Sequence, residues 1–203
     1  MSSPNVHNPT LEKPLSKAEF HTELDKAVLK AQVQGTPLSI AFIDLDRFKE
    51  VNDELGHEVG DIVIKDVGML LLEPDSVIAG HIGGDEFALL SETDEEGIQS
   101  LKEYVEKVFA GSLAEEGKHQ ESLRKIGVQP SIGIATLRSG MSTSDLLREA
   151  DEVMYKEKKG KLKFGKRQKV ALFIAKVVLQ KVGRIRLRDI GKYERIISHR
   201  QKT

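Results

Sequence analysis

Val77-Ile78-Ala79-Gly80-His81-Ile82-Gly83-Gly84-Asp85-Glu86-Phe87-Ala88-Leu89-Leu90 sets two short apolar runs on either side of two glycines and two acids. Runs of this length bounded by turn residues read as strands, and the Gly83-Gly84-Asp85-Glu86 junction makes them a hairpin. Two carboxylates then stand at a tight turn. A second such place lies upstream, where the apolar run Leu38 to Ile43 reads as a buried strand ending at Asp44 and Asp46.

Working outward, Ser16 and Glu19 form a capping box that opens a helix with Phe20, Leu24, Ala27 and Val28 as its buried stripe, stopped by Gly35 and Pro37. Helical segments are predicted from about Asp46 to Leu55 and from Asp61 to Leu72, with Gly56 and Gly60 marking a break. Asp94 caps a helix carrying Ile98, Leu101, Val105 and Val108, and Ile126 to Ala135 reads as the next strand. Ser142 with Asp145 caps a last helix whose Leu146, Leu147, Ala150, Val153 and Met154 face the core. This order predicts an α+β, or mixed α/β, fold with a sheet covered by helices.

The composition suits a globular chain: 203 residues, 39% hydrophobic and 31% charged, enough for one domain plus extensions. Aromatics at 5% are too few for a base-stacking platform, so nucleic acid is not the expected partner. The absence of cysteine excludes disulfide scaffolds, thiolate metal sites and cysteine nucleophiles. No basic start followed by an apolar stretch and no run of about 18 apolar residues is present, so neither a signal peptide nor a membrane span is expected, and the location expected is cytoplasmic. The formal net charge of −1 conceals a split of +10 over residues 166–203 and −11 over the rest. The organisation expected is a lead over 1–15, one folded domain over 16–165 and a basic, helical extension over 166–203. Val170, Phe173, Ile174, Val177 and Val178 give that extension an apolar stripe suited to packing on its own domain, pairing two subunits or docking a protein partner.

Carboxylates crowded at strand ends repel one another, and a hard divalent cation, Mg²⁺ or Mn²⁺, is the natural relief if the strand ending at Asp44 lies beside the hairpin. Gly83 and Gly84 leave backbone N–H groups open to a phosphate, and Lys49, one turn beyond Asp46, offsets phosphate charge. Together they describe a triphosphate site, and phosphoryl transfer asks a protein mainly for metal ions and positioned charge. Each piece also has an ordinary reading. The acids at the strand end are then solvated, Lys49, Asn52 and Asp61 are surface or cap residues, and His57 and His81 are structural or exposed. Neither G-x-x-x-x-G-K-[ST] nor G-x-G-x-x-G occurs, which removes the P-loop and Rossmann alternatives.

Phe42-Ile43-Asp44-Leu45-Asp46-Arg47-Phe48-Lys49-Glu50-Val51-Asn52-Asp53, Gly56-His57, Gly60-Asp61 and Gly83-Gly84-Asp85-Glu86-Phe87 together resemble the GGDEF family of diguanylate cyclases. Ser131-Ile132-Gly133-Ile134-Ala135 and Ala150-Asp151-Glu152-Val153-Met154-Tyr155 are similar to that family's late strand and last helix, so the resemblance runs from about Ser16 to Phe164. It implies a palm-like nucleotidyl-cyclase fold, with a mostly antiparallel sheet and the GGDEF residues on a β-hairpin. The implied activity joins two GTP molecules into cyclic di-GMP, with release of pyrophosphate, across a homodimer whose two sites face each other. Asp44, the Leu45 carbonyl and Asp85 would bind the metal, Asp85 or Glu86 would assist deprotonation of the 3′-hydroxyl, and Lys49 would stabilise charge. Asn52 and Asp61 would read the guanine edge, and Phe48, His57, Gly83, Gly84, Lys158 and Lys161 fall on the substrate side. An Asp carboxylate accepts from guanine N1–H and the 2-amino group together, which adenine does not offer.

The chain departs from the family pattern where the inhibitory R-x-x-D usually precedes GGDEF: Pro74 and Val77 stand there, which implies no product inhibition through that site. The arginine common just before GGDEF is replaced around Gly80-His81, the N-terminal pattern has decayed over Leu11 to Lys17, and the late G-R-N is Gly160-Lys161-Leu162. Lys161 then supplies a point charge where arginine gives a fork. The rival from another class is a catalytically silent GGDEF-like module that binds GTP or a partner protein. The intact acids, Lys49 and Asn52 argue against it, and the lost arginines argue for it.

Overall fold

A computed structural model describes residues 12–74, 76–112 and 119–161. A unit boundary falls after Lys158. The elements run β1 (Leu15–Ser16), α1 (Lys17–Gln34), β2 (Ser39–Asp46), α2 (Phe48–Leu55), α3 (His57–Leu70), β3 (Val77–Gly83), β4 (Glu86–Ser91), α4 (Glu95–Ser112), α5 (Gln120–Ile126) and β5 (Gln129–Thr136). A last helix, α6, covers residues 143–161. The sheet order is β1-β3-β4-β2-β5, with β1 parallel to β3 and the other pairs antiparallel, in accord with the expected mostly antiparallel sheet.

β2 lies between β4 and β5 and is covered on both faces, which is why its apolar run is nearly continuous. Strand alternation sends Ala41, Ile43 and Leu45 into a core with residues of α2, α3, α4 and α5, including Val51, Val63, Ile98 and Leu123. Ile40 and Phe42 face the other core, with Phe20, Leu24 and Val28 of α1 and Leu146 and Ala150 of α6. Asp44 and Asp46 continue this second face, so the acids emerge where the apolar lining ends.

Both predicted capping boxes are present. Ser16 Oγ accepts from Glu19 N while the Glu19 carboxylate accepts from Ser16 N, and Ser142 and Asp145 make the same exchange. Two expectations are corrected. The break between the second and third helices falls at Gly56 alone, and Gly60 lies inside α3, where a Cβ would meet Asn52 Oδ1 at 2.0 Å and Phe48 Cζ at 3.2 Å. Gly60 is therefore the contact point between α2 and α3, not a helix break. Ile126 ends α5 instead of opening a strand, because Gly127 takes a left-handed φ of 79° and its N–H closes onto the Leu123 carbonyl. β1 and α5 themselves have no counterpart in the sequence reading. The predicted extension over 166–203 and the lead up to residue 11 lie outside the described residues.

Candidate active site

The hairpin and the end of β2 meet in register. Asp44 pairs across the sheet with Glu86 on β4 and with Ser131 on β5, which puts the three on one face. Gly83 pairs with Glu86, so Gly84 and Asp85 form the turn, Gly84 at φ 51°. A bulge at Ile82 aims that turn, the His81 ring bonds the Gly84 carbonyl through Nε2 at 2.9 Å, and the same ring stacks on Phe87 at 4.9 Å. His81 is thus structural, as its ordinary reading expected. Leu45 N donates to the Asp85 carbonyl at 3.2 Å, fastening the turn beside β2.

The result is a cluster of carboxylates at the edge of a core. Asp44 is 7% exposed and Asp46 5%, while Asp85 and Glu86 are half-buried. Burial first, then the Asp44 charge, pushes the Asp85 carboxyl above its ordinary 3.8. Glu86 is raised above 4.5 by burial and then by Asp44, Asp85 and Asp151, with Lys17 pulling the other way. Asp46 accepts from Ser131 Oγ at 2.8 Å.

One cation already answers these acids. Lys158 Nζ donates to Asp44 Oδ1 at 2.5 Å. Burial works against its ammonium charge, but the Asp44 bond and the nearby Asp85 and Asp46 charges outweigh it and hold Lys158 above the usual lysine value. Two features bring α6 to this place. A Cβ on Gly133 of β5 would stand 2.0 Å from the Ala150 carbonyl and 2.2 Å from Met154 N, so α6 packs against bare backbone there. Next to Lys158, Glu157 accepts from Ile132 N on the β5 edge and from Lys102 Nζ of α4, which also donates to the Ile132 carbonyl.

The remaining predicted residues lie on α2, α3 and the turn. Lys49, His57 and Asp61 are exposed, Phe48 and Asn52 are half-buried, and Gly83 and Gly84 are open at the hairpin tip. Asn52 lies against Gly60 at the α2–α3 contact, and Gly60 is next in sequence to Asp61. Among the described residues no hydrogen bond or ion pair joins Lys49 or His57 to the carboxylate cluster. Lys161 falls beyond the unit boundary. Sequence reasoning missed Ser131 as the partner of Asp46 and Asp151 and Lys17 as charges acting on Glu86. No spacing signal marks them, since each reaches the site from a distant element.

The residues present fit a hard divalent cation: Asp44 and Asp85 stand on adjoining segments fastened by the Leu45 N–H bond to the Asp85 carbonyl, and burial, followed by the Asp44 charge, raises Asp85. Among the described residues no cluster of three or more His, Cys, Asp or Glu side chains forms a metal cage. The set expected from the resemblance contains only two side chains, so it does not require one.

The mostly antiparallel sheet with acids at a hairpin and at the neighbouring strand end is a palm-like fold. The family profile described as "Diguanylate cyclase, GGDEF domain" matches residues 15–163, and the chain belongs to this family. Diguanylate cyclase TpbB of Pseudomonas aeruginosa is 32% identical over 153 residues, covering 74% of this chain and 34% of that protein. Response regulator PleD of Caulobacter vibrioides is 32% identical over 140 residues, covering 67% and 30%. The chain thus matches about a third of the length of these relatives. Among solved structures, the GGDEF domain of DgcB from Caulobacter crescentus in complex with c-di-GMP superposes with TM-score 0.65 at 26% identity, covering 79% of this chain and 94% of that one. The active GGEEF domain of a Vibrio cholerae diguanylate cyclase gives TM-score 0.64 at 26% identity, covering 72% and 92%. No helix among the described residues is long and apolar enough to cross a membrane.

Proposed function

We propose that this chain is an active diguanylate cyclase that condenses two GTP into cyclic di-GMP and releases two pyrophosphates. The observation that carries the reading is the meeting of Asp44, Asp85 and Glu86 at one end of the sheet, with the Lys158 cation reaching over them. Mg²⁺ or Mn²⁺, held by Asp44, the Leu45 carbonyl and Asp85, would neutralise charge on the triphosphate. Asp61 and Asn52 bind the guanine edge, and Gly83 and Gly84 admit the phosphates to backbone N–H groups. Phe48 and His57 flank the nucleotide, and Lys49 and Lys158 supply positive charge to the phosphates.

Raised affinity for protons suits Asp85 or Glu86 to take the proton from an incoming 3′-hydroxyl. The oxygen then bonds to the α-phosphorus of the other GTP and the bond to pyrophosphate breaks. The same exchange in the opposite sense closes the ring. Because each GTP is held by one chain, the reaction runs across a homodimer and a monomer is inactive. With Pro74 and Val77 where the family carries R-x-x-D, product inhibition through that position is absent. The basic 166–203 extension offers a docking segment for a protein partner.

Incubation of the purified protein with GTP and Mg²⁺, followed by chromatography, tests it. Cyclic di-GMP is the expected product. Its absence from a folded dimer that still binds GTP would establish the silent binding module instead.

A further inference from the structure

Arg47 is the outlying residue at the site. It stands between β2 and α2 with φ 64°, a left-handed conformation that glycine or asparagine usually supplies, and it is the N-cap of α2 without a side-chain cap bond. A side chain held there strains the backbone. A chain that needed only the turn would be served by glycine.

What arginine adds is a long reach. Its Nη1 donates to the Ile126 carbonyl at 2.7 Å, the last residue of α5, where helix carbonyls point out and a cation is favoured. The guanidinium lies over the α5–β5 corner: a Cβ on Gly127 would come 3.6 Å from Nη1. The Arg47 carbonyl meanwhile accepts the Val51 N–H at 3.3 Å and starts α2. One residue therefore fastens the first turn of α2 to the segment leading into β5. β5 carries Ser131, which holds Asp46, while α2 carries Phe48, Lys49 and Asn52.

We propose that Arg47 is a positioning residue that sets α2, and through Asn52 the guanine-reading pair, relative to the carboxylates at the end of β2. It touches neither substrate nor metal. The role in nucleotide binding rests on the cyclase reading above, whereas the clamp itself does not.

The test compares wild type, Arg47→Gly and Arg47→Lys in the full chain. Glycine keeps the left-handed turn and deletes the clamp, so relief of strain offsets the lost bond and the melting temperature stays near wild type. The amides of Val51 and Gly56 in and after α2 then exchange faster with deuterium, while those of β2 and β5 do not. GTP binding measured with Ca²⁺ in place of Mg²⁺ weakens about tenfold, the scale of one lost charge-assisted bond, and preference over ATP falls. Binding of Mn²⁺ alone is unchanged, and lysine restores part of the GTP affinity. Unchanged α2 exchange in Arg47→Gly overturns the clamp. Faster exchange across β2 and β5 together with a fallen melting temperature also overturns it, leaving a general structural role. If wild type binds no GTP, the cyclase reading fails, and the exchange data still decide the clamp.

Discussion

The two halves of the site are built in different ways. At the end of β2, Asp44 and Asp46 are nearly covered, locked by register to Glu86 and Ser131, and faced by Lys158. On α2 and α3, Lys49 and Asp61 are exposed, and Asn52 is held by one helix–helix contact at Gly60. The charged half is thus fixed by the sheet, which cannot slip without turning every side chain over. The half proposed to read the base rests on packing between α2 and α3. Chemistry that needs carboxylates in place and a substrate that must enter and leave fits this division.

Four experiments press on that contrast. Replacing Asp85 and Glu86 together by alanine removes the proposed proton acceptor and metal ligand, and turnover should fall at least about a thousandfold with the fold retained by circular dichroism. The two close-approach glycines should then separate. Gly133→Ala drives a Cβ into backbone atoms of α6 and should cost about 2–3 kcal/mol, seen as a melting temperature lower by about 5–10 °C. Gly60→Ala meets mainly the Asn52 amide, a side chain that swings aside, so GTP affinity should fall more than stability. Asp61→Ala should reduce the preference for GTP over ATP by about 10- to 100-fold in kcat/KM, leaving Mn²⁺ binding intact. The smallest effect concerns pH. Folded-state pKa values raised for Asp85 and Glu86 mean that folding takes up protons, so their contribution to stability is present below the ordinary values of 3.8 and 4.5 and is lost as pH rises through the raised ones. Asp85→Asn/Glu86→Gln should therefore melt about 1–3 °C higher than wild type at pH 7 with chelator present, the gap closing below about pH 4.

Local signals were legible in the sequence and tertiary ones were not. The capping boxes at Ser16 and Ser142 could be read because both partners lie within three residues. The hairpin followed from its turn residues. β1 was invisible because two residues form a strand only through pairing with Gly80 and His81. The Ile126–Ala135 run misled because an apolar stretch does not reveal that Gly127 turns left-handed inside it. Gly60 looked like a breaker because its reason is Asn52 on another helix. At the site, the acids stood out by motif, but the Lys158–Asp44 pair joins positions 114 residues apart and has no spacing signal.

Anomalous diffraction from crystals soaked with Mn²⁺ and a non-reacting GTP analogue tests the central claim most directly. The account predicts a Mn²⁺ peak ligated by Asp44, the Leu45 carbonyl and Asp85, with the guanine edge against Asn52 and Asp61. A peak elsewhere, or a guanine lying away from α2 and α3, would contradict it.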